Sequence, residues 1–260
     1  MTMHAYLKPL ETLSARRGSI STIFADFVRV AACCLAPRVL VDGASVSMRE
    51  EEYMEVIRRY PKRDLELISE AFGLFIVESE KHPHRDILGN AWLDCTSKSS
   101  KQVRGEFYTP PEICDLMAHM TGGAEAYIAE GKPFTVEEPA CGAGSMILSF
   151  AKQFAPDHWH LPRFTAIDIN PVACDMCFIN TSLWSIPCEV ICGNALFLKP
   201  GCPRYVNLHW VRCGEEERRR IQTLSRLLSA PPEPAPDPEP PKPPEPPQKP
   251  IWKQADLFAA

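Results

Sequence analysis

No stretch of the chain approaches the roughly 18 consecutive apolar residues that a membrane-spanning helix needs. The opening residues, MTMHAYLKPLETLSARRGS, lack an apolar run and a small-residue cleavage site, so they do not read as a secretory leader. Positive charge is not in excess either: 28 Lys and Arg against 33 Asp and Glu leave a net charge of −5. That argues against coating of nucleic acid by bulk charge, while leaving room for a local basic face. These absences lead us to expect a cytoplasmic protein with reduced thiols and no membrane partner.

Cysteine, by contrast, is abundant, with 11 in 260 residues. Cys174-x-x-Cys177 and Cys188-x-x-x-Cys192 have a spacing that permits four zinc ligands. The first pair falls in an expected helix and the second on an expected strand, whereas structural zinc knuckles sit on tight turns. The expectation is therefore small buried thiols and no metal.

Apolar residues make up 45% of the chain, enough for a real core. Residues 1–100 read as a helical region, with helical spacing over 21–35, 48–59 and 64–79 and a short helix over 86–94. Polar residues 96–102 break the pattern. From 101 to 229 the character alternates. Strands are expected at 134–138, 164–169, 189–192 and 205–210, with helices at 145–154, 171–184 and 215–228. This order implies an α/β fold with a parallel, doubly wound sheet. In 231–250, twelve of twenty residues are proline, so 230–250 reads as an extended linker reaching roughly 60 Å. Residues 251–260 turn apolar again, as a tethered docking peptide would.

Gly142-x-Gly144 sits between an expected strand and an expected helix. Alone this is a weak signal, because such a turn needs glycine anyway. Glu138-Pro139-Ala140-Cys141 precedes it. Asp168 ends the next strand, where an acid can hydrogen-bond ribose hydroxyls. Asn194 follows the third strand, where a side chain can reach an adenine. Each has a plainer reading: Asp168 as a turn cap, Phe107 and Tyr108 as core aromatics.

Together, three segments resemble the N6-adenine DNA methyltransferases, and in particular the methylation subunits of type I restriction–modification systems. They are Gly105-Glu106-Phe107-Tyr108-Thr109-Pro110-Pro111, Glu138-Pro139-Ala140-Cys141-Gly142-Ala143-Gly144-Ser145, and Ile167-Asp168-Ile169-Asn170-Pro171. The resemblance spans about residues 100–196. It implies a Rossmann-like domain that binds S-adenosylmethionine (SAM), acts on DNA and works with a specificity or other partner subunit. By the same resemblance, Phe107, Thr109 and Pro110 close over the methionine end of the cofactor, and Glu138 lies near its amino group. Ala140, Gly142 and Gly144 let the backbone approach, Asp168 holds the ribose, and Asn194 faces the adenine.

Methyl transfer also requires activation of the adenine amine, whose lone pair is delocalised into the ring. The family uses an Asp, Asn or Ser, two prolines and an aromatic residue, which also stacks on the flipped base. That motif is missing here. The nearest candidate is Asn207-Leu208-His209-Trp210, which keeps the amide and the aromatic but loses the prolines. Its plainer reading is an ordinary strand or loop. The expectation is a truncated relative, either active with help or a degenerate SAM-binding module. Finally, Gln254, Leu257 and Phe258 resemble the peptide with which bacterial proteins dock on the β sliding clamp.

Overall fold

A computed structural model describes residues 4–41, 44–96 and 108–214. The chain divides into two units, 1–219 and 220–260, and every described residue belongs to the first. Phe107, the basic residues Lys98, Lys101 and Arg104, the expected helix 215–228, the linker and Gln254, Leu257 and Phe258 lie outside the described residues.

The N-terminal region is helical, as the spacing predicts, with two additions. Helices α1 (Leu7–Arg17) and α2 (Ile20–Leu35) come first, the latter capped by the Ser19 hydroxyl. A short antiparallel hairpin follows, β1 (Arg38–Val41) and β2 (Ala44–Ser47). Then come α3 (Glu50–Ile57), α4 (Lys62–Glu80) and α5 (Leu88–Cys95). The apolar stripes of α1, α2 and α4 meet in an aromatic cluster of Tyr6, Phe27 and Phe75. The hydroxyl of Tyr6, buried among these rings, donates to the Ile87 carbonyl at 2.8 Å.

Two helices unmarked by the spacing, α6 (Pro111–Met120) and α7 (Gly123–Glu130), lead into the sheet. The sheet then alternates with helices: β3 (Phe134–Glu138), α8 (Ser145–Ala151), β4 (Pro162–Asp168), α9 (Pro171–Leu183), β5 (Cys188–Cys192), β6 (Arg204–Val206). Strand order is β3-β4-β5-β6. The first three are parallel, with Val136 opposite Phe164 and Ala166 opposite Val190.

One expectation needs correction. The fourth strand is not parallel: β6 runs antiparallel to β5, with Val190 opposite Tyr205. It is also shorter than expected, because residues 208–214 are helical. Phe134 and Phe164 pack on Phe150 of α8, and α9 packs on β4 and β5, so both crossover helices share one face. On the opposite face Thr135, Glu137, Arg163, Thr165 and Glu189 are exposed or half-buried, whereas Ile167 and Ile191, toward the carboxyl ends of their strands, are buried.

One continuous core joins the N-terminal helices to the sheet. At the junction, buried Arg49 donates to Asp175 of α9 at 2.8 Å and to Glu52 at 2.7 Å. Arg29 of α2 reaches the other Asp175 oxygen at 2.6 Å. The Arg49 guanidinium stacks over Tyr205 at 3.9 Å, so α2, α3, α9 and β6 converge on one charge cluster.

Helix α6 is tied down by Asp115, which accepts from Arg85 at 2.9 Å and Ser149 at 2.7 Å and pairs with Lys152. Burial alone would raise this carboxyl; the Lys152 and Ser149 hydrogen bonds and the Lys152 and Arg85 charges bring it down to about 2. A depressed acid stabilises the fold above its unfolded pKa and loses that contribution as pH falls through the folded value. Asp115→Asn should therefore cost about 1 kcal/mol at pH 7, allowing for solvent screening, and only a small part of that near pH 2, where the carboxylate is half protonated. Urea unfolding at both pH values measures the difference.

Candidate functional site

The three parallel strands end side by side, and the loops that leave them are stitched together by one residue. At the end of β3 the chain turns through Glu138-Pro139-Ala140-Cys141-Gly142-Ala143-Gly144 into α8. The turn takes left-handed backbone at Gly142 (φ +52°) and Gly144 (φ +91°), which side chains resist. A Cβ on Gly144 would also lie 3.1 Å from the Cys177 sulfur. Glycine is required there twice over, by conformation and by closeness.

Asp168, at the end of β4, accepts the Gly142 N–H at 2.9 Å through Oδ2 and the Asn170 N–H at 2.8 Å through Oδ1. Its carbonyl accepts the Gly193 N–H at 2.8 Å, from the loop after β5. Asp168 is thus a turn cap, as its plainer reading had it, and also the joint between neighbouring loops. A carboxylate oxygen accepts more than one hydrogen bond, so capacity remains for a ligand hydroxyl. Asn194 is exposed just beyond β5 and caps the short 3-10 turn Ala195–Phe197, accepting the Leu196 N–H at 2.9 Å.

Glu138 is half-buried and its Oε1 accepts the Ala140 N–H at 3.3 Å. Burial raises its carboxyl, only partly offset by that bond. A cationic group beside it would relieve the cost. Ala140 is exposed at the turn, and Thr109 and Pro110 are exposed ahead of α6, with Pro110 at its N-cap. The Tyr108 ring, rather than Thr109 or Pro110, reaches the glycine turn: it lies 3.1 Å from where a Gly142 Cβ would be.

The turn rests on a polar support that the sequence reading missed. Asp86, fully buried ahead of α5, accepts the Leu88 and Gly89 N–H groups at 3.1 and 2.9 Å. It also accepts Asn180 Nδ2 of α9 at 3.0 Å and the Ser145 hydroxyl of α8 at 3.2 Å. Asn180 donates to the Ala143 carbonyl as well, at 2.8 Å. An aspartate two residues before a helix is a cap signal that could have been found. Asn180, one of several polar residues in the middle and last turns of α9, carries no such signal.

The cysteines fill the space beneath. Cys174, Cys177 and Cys188 are buried and Cys192 is half-buried; the Cys141 thiol donates to the Gly142 carbonyl at 3.5 Å and the Cys188 thiol to the Glu189 carbonyl at 3.6 Å. Among the described residues no group of three His, Cys, Asp or Glu is placed to hold a metal ion.

The structure does not bring Asn207 and Trp210 to this site. Because β6 is antiparallel, Asn207 lies beside Cys188, where β5 begins, while Asn194 lies beyond Cys192, where it ends. Four residue steps at about 3.3 Å separate the two ends. The Asn207 amide is buried and occupied: it donates to the Ile186 carbonyl at 2.7 Å and accepts the Cys188 and Trp210 N–H groups at 3.3 and 3.0 Å. It pins the edge strand and caps the helix that follows. The catalytic expectation for Asn207 and Trp210 is corrected on that ground.

The fold and site define an α/β domain with a glycine turn and polar strand-end groups at the carboxyl ends of parallel strands. Residues 84–202 match the family described as N-6 DNA Methylase. The type I restriction enzyme MpnII methylase subunit of Mycoplasma pneumoniae is 26% identical over 174 residues, covering 64% of this chain and 28% of that protein. The chain therefore spans less than a third of that relative's length. A crystal structure from Listeria monocytogenes, described as a class I S-adenosylmethionine-dependent methyltransferase, is similar over 75% of this chain and 55% of its own, at 12% identity and a TM-score of 0.34. That likeness is too slight to argue from. Segment 84–202 is thus similar to the N-6 DNA Methylase family and to a type I methylation subunit. SAM is the cofactor this family implies. The matched segment begins just before Asp86 and ends before Asn207.

Asp86→Ala should destabilise the fold by about 3 kcal/mol or more, because it strands three buried donors. A lowered urea midpoint, with a smaller loss in Asp86→Asn, is the expected result. An unchanged midpoint in Asp86→Ala would remove the residue from its supporting role.

Proposed function

We propose that this chain is the SAM-binding part of an adenine-N6 DNA methyltransferase acting in the cytoplasm on an adenine flipped out of the duplex. The observation that carries the reading is the convergence of Glu138, the Gly142–Gly144 turn, Asp168 and Asn194 at the ends of three adjacent strands. The donor set fits the cofactor. Glu138 offers a half-buried carboxylate to an ammonium group. The glycine turn admits close approach of a ligand to backbone, and Asp168 has lone pairs left for ribose hydroxyls. Asn194 can present its amide to an adenine edge, and by family resemblance the segment of Phe107, Thr109 and Pro110, next to Tyr108 at the glycine turn, would close the methionine end.

When bound, SAM supplies a methyl group on a sulfonium, which needs no metal or added nucleophile. This chain's residues bind and orient; Asp168 couples the loops, so that holding the ribose also fixes the turn that holds the methionine end. Asn207 does not activate the amine in this reading. Its substitution by Ala should lower stability without a specific loss of transfer.

Isothermal titration of the full chain with SAM tests the cofactor assignment. Asp168→Ala should weaken binding about 10- to 100-fold, the size of lost charge-assisted hydrogen bonds. Absence of SAM binding to the wild-type chain would overturn the reading. Radiolabelled SAM with unmethylated DNA then asks whether label appears in N6-methyladenine; label in protein or RNA instead would reassign the substrate.

A second reading concerns the C-terminal peptide. Gln254-x-Asp256-Leu257-Phe258 follows a proline-rich segment of the kind that serves as a long tether. This pattern favours docking on the bacterial β sliding clamp, which would concentrate even a degenerate SAM-binding module at replicating DNA. Deleting residues 251–260 should abolish binding to purified clamp in a surface-plasmon assay, and undiminished binding would refute it.

A further inference from the structure

Strand β3, which leads into the glycine turn, is the last strand on its side of the described sheet. Its Phe134 N–H donates to Leu161 across the β4 side. Alternation along the strand then turns the N–H and C=O of Thr135 and Glu137 outward, away from β4. A cavity of about 350 Å³ runs along this edge, lined by Phe134, Val136, Phe150 and Phe164, with Glu137 and Glu138 toward the strand's end. It lies beside Glu138 rather than over Asp168.

The surface next to it is apolar too. Ile113, Leu116, Met117 and Met120 of α6 are 45%, 56%, 45% and 76% exposed. Their i, i+3, i+4, i+7 spacing makes one stripe, while Cys114 and Ala118 of the same helix are buried. Ala118, on the buried side of α6, and Thr121, just past its end, line the cavity, so α6 walls the groove and carries the stripe on its outer side. An exposed apolar stripe beside an open strand edge is the signature of an interaction surface.

We propose that this face receives a β-strand from a separate polypeptide, with apolar side chains in the groove and a Lys or Arg against Glu137. Outward-facing backbone groups in a row select an extended peptide, because only a strand can match their spacing. The groove's acidic end has no Lys, Arg or His among its lining residues, so a basic side chain on the incoming strand is the complement. A two-fold pairing of β3 edges centred on Thr135 would set Lys132 of one copy opposite Glu138 of the other, so the test distinguishes a second copy by isotope mixing. The segment 231–250 is a poor donor strand because its twelve prolines lack N–H groups. A strand lying parallel to β3 ends beside the Glu138–Gly144 turn and delivers its following loop to the cofactor side. That last consequence, completion of the site in trans, rests on the methyltransferase reading; the docking itself does not.

The test places photoreactive p-benzoylphenylalanine at position 135 of the full chain, expressed in its source cells. The crosslinked peptide is then sequenced by mass spectrometry. The expected product joins position 135 to an apolar peptide of a different polypeptide. That polypeptide, purified, should bind the full chain. Thr135→Pro, which removes an outward N–H only, should weaken binding about 10-fold or more. Leu116→Glu with Met120→Glu, at exposed positions, should do the same, whereas Thr135→Val should bind as wild type. Unfolding midpoints should match wild type in all three. A crosslink to residues 251–260, one to a second copy revealed by mixed isotope labelling, no crosslink, or binding indifferent to these variants overturns the proposal. SAM titration of the Thr135→Pro chain separates the two readings. A wild-type chain that fails to bind SAM sinks the proposed function and leaves strand docking standing.

Discussion

The Asp168 carboxylate accepts the Gly142 N–H while the same residue's carbonyl accepts the Gly193 N–H, and these two bonds set the geometry of every loop at the carboxyl end of the sheet. A strand end has backbone groups that no ladder satisfies, and loops there would otherwise be free to drift. One acidic residue on the middle strand reaches both neighbours because parallel strands lie about 4.8 Å apart. The register that sets Asp168 beside Cys192 of β5, and Ala166 beside Glu138 of β3, is therefore the constraint on which the site depends.

What holds that register is beneath the loops. Asp86 gathers the first turn of α5, the start of α8 and the middle of α9 around a single buried carboxylate. The Arg49–Asp175–Arg29 cluster fixes the other face of α9 to the N-terminal helices. Both are buried polar networks, which gain little net stability over apolar packing but tolerate few alternative arrangements. The N-terminal helices are thus part of the support for the cofactor turn, through Asp86 above all.

Much of this was legible in the residues. The 134–138 strand, the glycine turn and the helix from Pro171 follow from apolar periodicity and local turn chemistry, which act over a few residues. Asp168 and Asn194 were readable as strand-end polar groups. Asn207 was misread because sequence spacing places it after a fourth strand but does not give that strand's direction. Asn180 and Arg49 were invisible for a related reason: their partners are 94 and 126 residues away in the chain. The stripe of Ile113, Leu116, Met117 and Met120 has helical spacing, yet the spacing alone does not say whether it faces core or solvent.

By itself, the sequence determined the kinds of element, the positions of the left-handed glycines and the chemical character of the cofactor loops, because these follow from interactions between near neighbours. The tertiary structure decided which strand edges which, and hence that Asn207 sits at the far end of β5 from Asn194. It also decided that β3, the strand leading into the glycine turn, carries an open apolar edge among the described residues. Strand order and direction are fixed by burial of the whole core at once, and no local segment encodes that.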